Sequence, residues 1–206
     1  MIQLPQRLVE CGDARTALCV LCNGFVACKE LLVHAEAVHR DDLPPTYAHL
    51  LGHREHMTTV LEAHYGEPVR LDVVVAQQEA NSYSRLIRLT LPSCDRVVEV
   101  GVARTNLDLV PAAVRDEILS RKAPLGDILI RHGVLRRVEP KWFLRFAPAS
   151  LIHAFFDPQH TSGSAGGNGP NTEEKRQRAV TYGRIGIINC AGEPAIEVLE
   201  VMPSDA

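Results

Sequence analysis

Tyr83-Ser-Arg-Leu-Ile-Arg-Leu-Thr-Leu91 is the stretch whose reading decides the fold. Its apolar residues recur at every second position, the period of a β-strand whose successive side chains point to opposite faces. Arg85, Ile87, Leu89 and Leu91 then share one face, and Leu86, Arg88 and Thr90 share the other. Arg88 lies with a threonine on the more polar face, where solvent can take it. Arg85 lies in a row with three aliphatic side chains on the face expected to be buried. A guanidinium there needs an anion, because an unpaired buried charge is costly. Two partners are open: a carboxylate of the protein itself, or an acidic ligand in a pocket.

Outward from this strand, Pro92-Ser-Cys-Asp95 reads as a hairpin connection. Arg96-Val-Val-Glu-Val-Gly-Val-Ala-Arg-Thr105 returns, with Val98, Val100, Val102 and Arg104 on one face. A second arginine therefore ends an apolar stripe on the strand expected to pair with the first. The chain closes with another hairpin: strand 180–188, a turn at Asn189-Cys-Ala-Gly192, and strand 194–202. On the last strand Ile196, Val198, Glu200 and Met202 share a face, so Glu200 is a carboxylate in an apolar row. It either pairs with Arg85 or Arg104, or is a group of raised pKa in a pocket. Residues 69–75, after the turn Tyr65-Gly66-Glu-Pro68, and residues 134–146 supply further strands.

Helices fill the spaces between. Asp41-Asp-Leu-Pro-Pro45 breaks the chain and opens a short amphipathic turn carrying Tyr47, Leu50 and Leu51. Thr58 is the expected N-cap of the helix that follows. Residues 108–119 form a helix with Val114 and Ile118 inward, and 124–130 a shorter one whose N-terminal N–H groups would welcome a carboxylate. Ser162-Gly-Ser-Ala-Gly-Gly-Asn-Gly-Pro170, within 160–175, has no periodicity and none of the Lys-Ser/Thr chemistry of a phosphate loop. It reads as a loop.

The 206 residues suffice for one sizeable domain, and 46% apolar with 23% charged residues is ordinary for a globular protein. A net charge of −3 gives no reason to expect nucleic acid or an anionic membrane as a partner. No apolar run approaches the roughly 18–20 residues of a membrane span, and the start lacks the ordered parts of a signal peptide. The expected location is cytoplasmic, which implies reduced thiols. Residues 1–40 read as a Cys-rich extension ahead of the main domain at 41–206. Cys19-x2-Cys22 followed by His34-x4-His39 approximates a Cys2His2 zinc spacing. The gap between the pairs is one residue short, the knuckle residues Val20 and Leu21 are apolar, and no basic helix follows. The preferred reading is an apolar segment leading into a helix over 29–39, with cysteines as small hydrophobes and no metal.

Taken in order, the motifs resemble those of the chorismate lyase family, the chorismate–pyruvate lyases that form 4-hydroxybenzoate. The resemblance runs from about Leu50 to Pro203. It rests on Met57-Thr58 at a helix start, Arg85-Leu-Ile-Arg-Leu on a strand, Ala103-Arg104-Thr105 ending the next, Pro124-Leu125-Gly126 before a short helix, and Tyr182-Gly183-Arg184 with Gly192-Glu-Pro194 in the final hairpin. It implies an α+β fold: a single antiparallel sheet with helices packed on it and an internal ligand cavity under flaps. It also implies cofactor-free carbon–oxygen lyase chemistry on chorismate or a similar cyclic carboxylic acid. Carried over, Met57, Arg85, Leu125 and Glu200 are the substrate-binding residues, with Arg104 as a second arginine and Arg85 and Glu200 in the catalytic roles. Glu200 lies one residue further from the Gly-x-Pro turn than in the best-known members, so a β-bulge is needed for it to face inward. Glu197 is the competing choice. A non-catalytic sensor of aromatic acids with the same fold, or a lyase for another cyclic diacid, is the alternative.

Overall fold

The period-two stretches pair into one antiparallel sheet. A computed structural model describes residues 7–148, 150–156 and 179–206, and the glycine-rich stretch expected at 160–175 lies outside the described residues. In chain order the elements are α1 (Ala14–Cys22), α2 (Cys28–Val33), β1 (Ala35–Val38), α3 (Pro45–Leu51), α4 (Met57–Tyr65), β2 (Arg70–Glu79) and β3 (Ser82–Thr90). They continue with β4 (Val97–Asn106), α5 (Ala112–Ser120), α6 (Leu125–Arg131), β5 (Arg136–Phe146), β6 (Thr181–Cys190) and β7 (Glu193–Val201). The strand order is β1-β5-β6-β7-β4-β3-β2, seven strands with every pairing antiparallel. The architecture is therefore α+β, a single antiparallel sheet with helices packed on it, as the alternation implies. No helix among the described residues is long and apolar enough to cross a membrane.

Both faces of the sheet are covered. On one, Leu18 and Leu21 of α1 and Leu31 of α2 pack with Leu86, Val100, Val102, Leu144, Ile185 and Leu199. Residues from Leu8 onward thus share a core with the sheet and form one of its layers. On the other face two groups sit side by side. Val114, Ile118, Ile128 and Leu129 of α5 and α6 pack on Ile188, Ile196 and Val198. Leu50, Leu51 and Leu61 of α3 and α4 pack on Ile87, Leu89 and Val98. The candidate site lies where these two groups meet.

Several local expectations are corrected. Arg88 is buried rather than solvated. It pairs with its cross-strand neighbour Asp72, Nη2 to Oδ2 at 2.6 Å, because α1 and α2 close off the face that the polar residues suggested was open. The helix expected over 29–39 ends at Val33, and Ala35–Val38 instead adds an edge strand beside β5. The N-cap of α4 is His56 rather than Thr58. Residues 107–109 form a 3-10 turn, and α5 begins only at Ala112, after Pro111. Val98 leaves the row of Val100 and Val102, because the β3–β4 register shifts between Leu89 and Thr90.

The cysteines also differ from expectation. Cys19 and Cys28 are joined by a disulfide, with their Cα atoms 5.0 Å apart, so two of the six thiols are oxidised. Among the described residues no cluster of His, Cys, Asp or Glu is placed to hold a metal ion. Cys11, Cys22, Cys94 and Cys190 are free. Thiol titration of the denatured protein should therefore count four thiols, rising to six after reduction. Replacing Cys28 with serine should lower stability by about 2–3 kcal/mol in urea unfolding. Six thiols without reductant would refute the bond.

Candidate functional site

Antiparallel register places the site residues. Arg85 pairs with Ala103 and Ala103 with Val198. Ile87 pairs with Gly101 and Gly101 with Glu200, while Leu89 pairs with Glu99. Arg85, Gly101, Glu99 and Glu200 therefore share one face of the sheet. Arg104 and Glu197, each one residue out of step, share the opposite face. The bulge needed for Glu200 is present. The β6–β7 register shifts between Ile188 and Asn189, so that Asn189 pairs with Pro194 and Ile188 with Ile196.

Over this face lies a small cavity, lined by Arg85, Glu99, Gly101 and Glu200 from the strands. Met57 and Thr58 at the start of α4, with Leu125 and Gly126 at the start of α6, close it from above. These two helix starts touch: a Cβ on Gly126 would lie 2.6 Å from Thr58 Oγ1 and 2.9 Å from His56 Cβ. Only glycine allows that approach. Of the residues singled out in the sequence, Met57, Arg85, Leu125 and Glu200 are brought together at the cavity.

Arg104 is not among them. Its Nε lies 2.7 Å from Glu197 Oε2, and Glu197 Oε1 also accepts the Leu8 N–H at 2.6 Å. The pair faces the layer that contains α1. Arg104 is a structural partner of Glu197 because strand alternation turns it away from Arg85. Glu197 is likewise excluded as the cavity carboxylate.

The charges that remain on the cavity face are not evenly matched. Glu200 is held by Arg184, Nε to Oε2 at 2.5 Å, rather than by Arg85 or Arg104. Arg184 also donates through Nη1 to the carbonyls of Leu51 at 3.0 Å and His53 at 2.8 Å. Arg85, only 2% exposed, forms no salt bridge among the described residues, and its Nη1 has no hydrogen-bond partner. Burial pushes its pKa down, with Tyr83 and Glu99 acting in the opposite sense. Glu99, 3% exposed, likewise has an unpartnered Oε2. Burial, then the charge of Glu200, push its pKa well up, which favours its uncharged form beside the Glu200–Arg184 salt bridge.

Glu99 is the functional candidate that sequence reading missed. Its signal was available: a lone acid inside the apolar run Val97-Val98-Glu99-Val100, where the arginines drew attention instead.

His56, at the cavity rim, accepts a hydrogen bond from Arg136 Nε. Burial, then the Arg136 charge, lower its pKa from 6.5 to about 4. Between these values the unfolded chain takes up a proton that the folded one refuses. Stability should therefore fall by about 3 kcal/mol as pH drops through that window. Urea unfolding at pH 7 and near pH 4 measures this, and His56→Gln should remove this part of the slope. An unchanged slope in the variant would show that His56 does not titrate this way.

The fold and site thus define an α+β protein with a mostly apolar cavity on one face of an antiparallel sheet, into which a few buried and partly unsatisfied polar groups are set. No family model matches the sequence, and no curated protein matches it. Among solved structures, the crystal structure of the C-terminal domain of Yurk from Bacillus subtilis aligns over 63% of this chain and 76% of that one, at 15% identity and a TM-score of 0.30. A likeness so distant says nothing of what this chain does.

Proposed function

We propose that the protein is a chorismate pyruvate-lyase, which converts chorismate to 4-hydroxybenzoate and pyruvate in this cavity without a cofactor. The observation that carries the reading is Arg85: a buried guanidinium with an unpartnered nitrogen and no salt bridge among the described residues. Its planar fork suits a carboxylate, with two charge-assisted bonds from a group that does not lose its proton. The ring then lies against the apolar lining from Ile87, Leu125 and Val198, between Arg85 and the two acids. In the reaction the ring carbon bearing the hydroxyl loses hydrogen and the ether carbon–oxygen bond breaks. The methylene carbon of the departing enolpyruvyl group gains hydrogen. Aromatisation supplies the driving force, and the protein contributes position and charge placement. Glu200 stands beside the ring hydroxyl and relays the proton. A cytoplasmic location belongs to this reading, although the Cys19–Cys28 bond is atypical of a reducing compartment.

One observation favours a second reading, a binder of aromatic acids. Arg184 is taken by Glu200 and Arg104 by Glu197, so Arg85 is the cavity-lining cation left without a carboxylate among the described residues. A monoanionic hydroxy acid matches that charge better than a dianion does. Incubation with chorismate, with pyruvate assayed and 4-hydroxybenzoate followed by mass spectrometry, tests the proposal. Release of both products supports the lyase. Intact chorismate together with measurable 4-hydroxybenzoate binding supports the second reading. Neither turnover nor binding overturns both.

A further inference from the structure

We propose that Glu99 and Glu200 together form a hydroxyl-recognition subsite, in which Glu99 donates a hydrogen bond to the ring oxygen of the ligand while Glu200 accepts one from it. The inference rests on the carboxylate reading of Arg85 and goes beyond it by assigning Glu99, which sets specificity at the far end of the cavity.

Geometry carries it. Glu99 and Arg85 lie on the same face, with the Gly101 row between theirs. The Glu99 carboxyl leans over that row: its Oε1 is 3.0 Å from where a Cβ on Gly101 would stand. Gly101 is the cross-strand partner of Glu200, so the two acids converge on one spot. Glu99 Oε2 is buried without a partner, whereas Glu200 is anchored by Arg184. The charged groups acting on Glu99 are Glu200, Arg184 and Arg85. Glu200 is salt-bridged to its arginine, while burial and the charge of Glu200 favour the protonated form of Glu99. An ionised carboxylate only accepts hydrogen bonds, and a protonated one can donate. A hydroxyl both donates and accepts, so it satisfies both acids at once. A bare ring carbon satisfies neither, and an amine, a poor acceptor, leaves Glu99 unmatched. Sites built on buried polar groups discriminate strongly in this way, because the wrong ligand leaves those groups unpaired.

Calorimetric titration with benzoate, 4-aminobenzoate and 4-hydroxybenzoate decides the matter. The wild-type protein should bind 4-hydroxybenzoate on the order of 100-fold more tightly than benzoate, with 4-aminobenzoate in between. Glu99→Gln, whose amide still donates, should keep that order. Glu99→Leu should bring 4-hydroxybenzoate and 4-aminobenzoate to similar affinity, with benzoate bound no worse than before. Thermal unfolding of both variants checks that they fold. Retention of the full hydroxyl preference in Glu99→Leu would overturn the assignment, as would equal wild-type affinity for the hydroxy and amino acids. The wild-type comparison needs no variant to fold. If the wild type binds none of the three acids, the Arg85 reading itself fails and the subsite falls with it. Absence of pyruvate release would instead count against the lyase alone, since these affinity ratios do not depend on turnover.

Discussion

Arg85→Met should abolish carboxylate binding and leave the protein more stable than the wild type. These two effects seldom coincide, and together they separate a ligand-binding arginine from a structural one. A structural arginine in this row would have a carboxylate partner, and its removal would strand a buried anion at a cost of about 3–5 kcal/mol. Arg85 forms no salt bridge among the described residues and has an unsatisfied nitrogen, so the folded state carries the desolvation of a cation that Tyr83 and Glu99 offset only in part. Methionine fills a similar volume without charge, and stability should rise by about 1–3 kcal/mol. Binding of 4-hydroxybenzoate should weaken by roughly 1,000-fold, the loss of two charge-assisted hydrogen bonds in a desolvated site. Calorimetric titration and urea unfolding of the same preparation measure both. A destabilised variant, or one that binds as the wild type does, would remove Arg85 from the site.

Arg184→Leu should have the largest effect on folding. Arg184 is 1% exposed and holds Glu200, the last carbonyl of α3 at Leu51, and the His53 carbonyl on the way to Met57. Its loss leaves a buried carboxylate uncompensated and two carbonyls without donors. The expected cost is about 3–5 kcal/mol. Adding Glu200→Leu should recover much of that loss, because a buried ion pair exchanged whole for apolar residues is often close to neutral. What the double variant should not recover is ligand binding: it removes the hydroxyl acceptor and slackens the segment that positions the start of α4. Urea unfolding of the two single variants and the double variant reports the coupling. Additive losses would mean that the pair is not the unit described here.

The strands were legible because alternation is a local property. Tyr83–Leu91 shows which of its side chains lie together whatever the rest of the chain does, and it put Arg85 on the inward face correctly. The helix starts at Met57 and Leu125 were legible from Pro and capping patterns to within a residue or two. The inward direction of Glu200 required one extra residue in the strand, and it was the family resemblance, through the distance from the Gly-x-Pro turn, that asked for it. Glu99 was readable in principle, since a single acid in a run of valines on a strand next to Arg85 is as unusual as the arginine itself.

Pairing was not legible. Alternation alone left open whether Arg104 shared a face with Arg85, and the answer depended on the register between β3 and β4. Its partner Glu197 lies 93 residues away in the chain. Arg184 was quoted only as part of a hairpin motif, yet it is the group that holds Glu200. Arg88 looked solvated because nothing near it in sequence reveals that α1 and α2, some sixty residues earlier, cover its face.

The amino-acid order by itself determined the strands, their faces and the presence of inward-facing charge, since each follows from the period of the backbone over a few residues. Only the tertiary structure decided which charges are spent on one another and which is left for a ligand. Compensation of a buried charge depends on distance in space, and distance along the chain does not predict it.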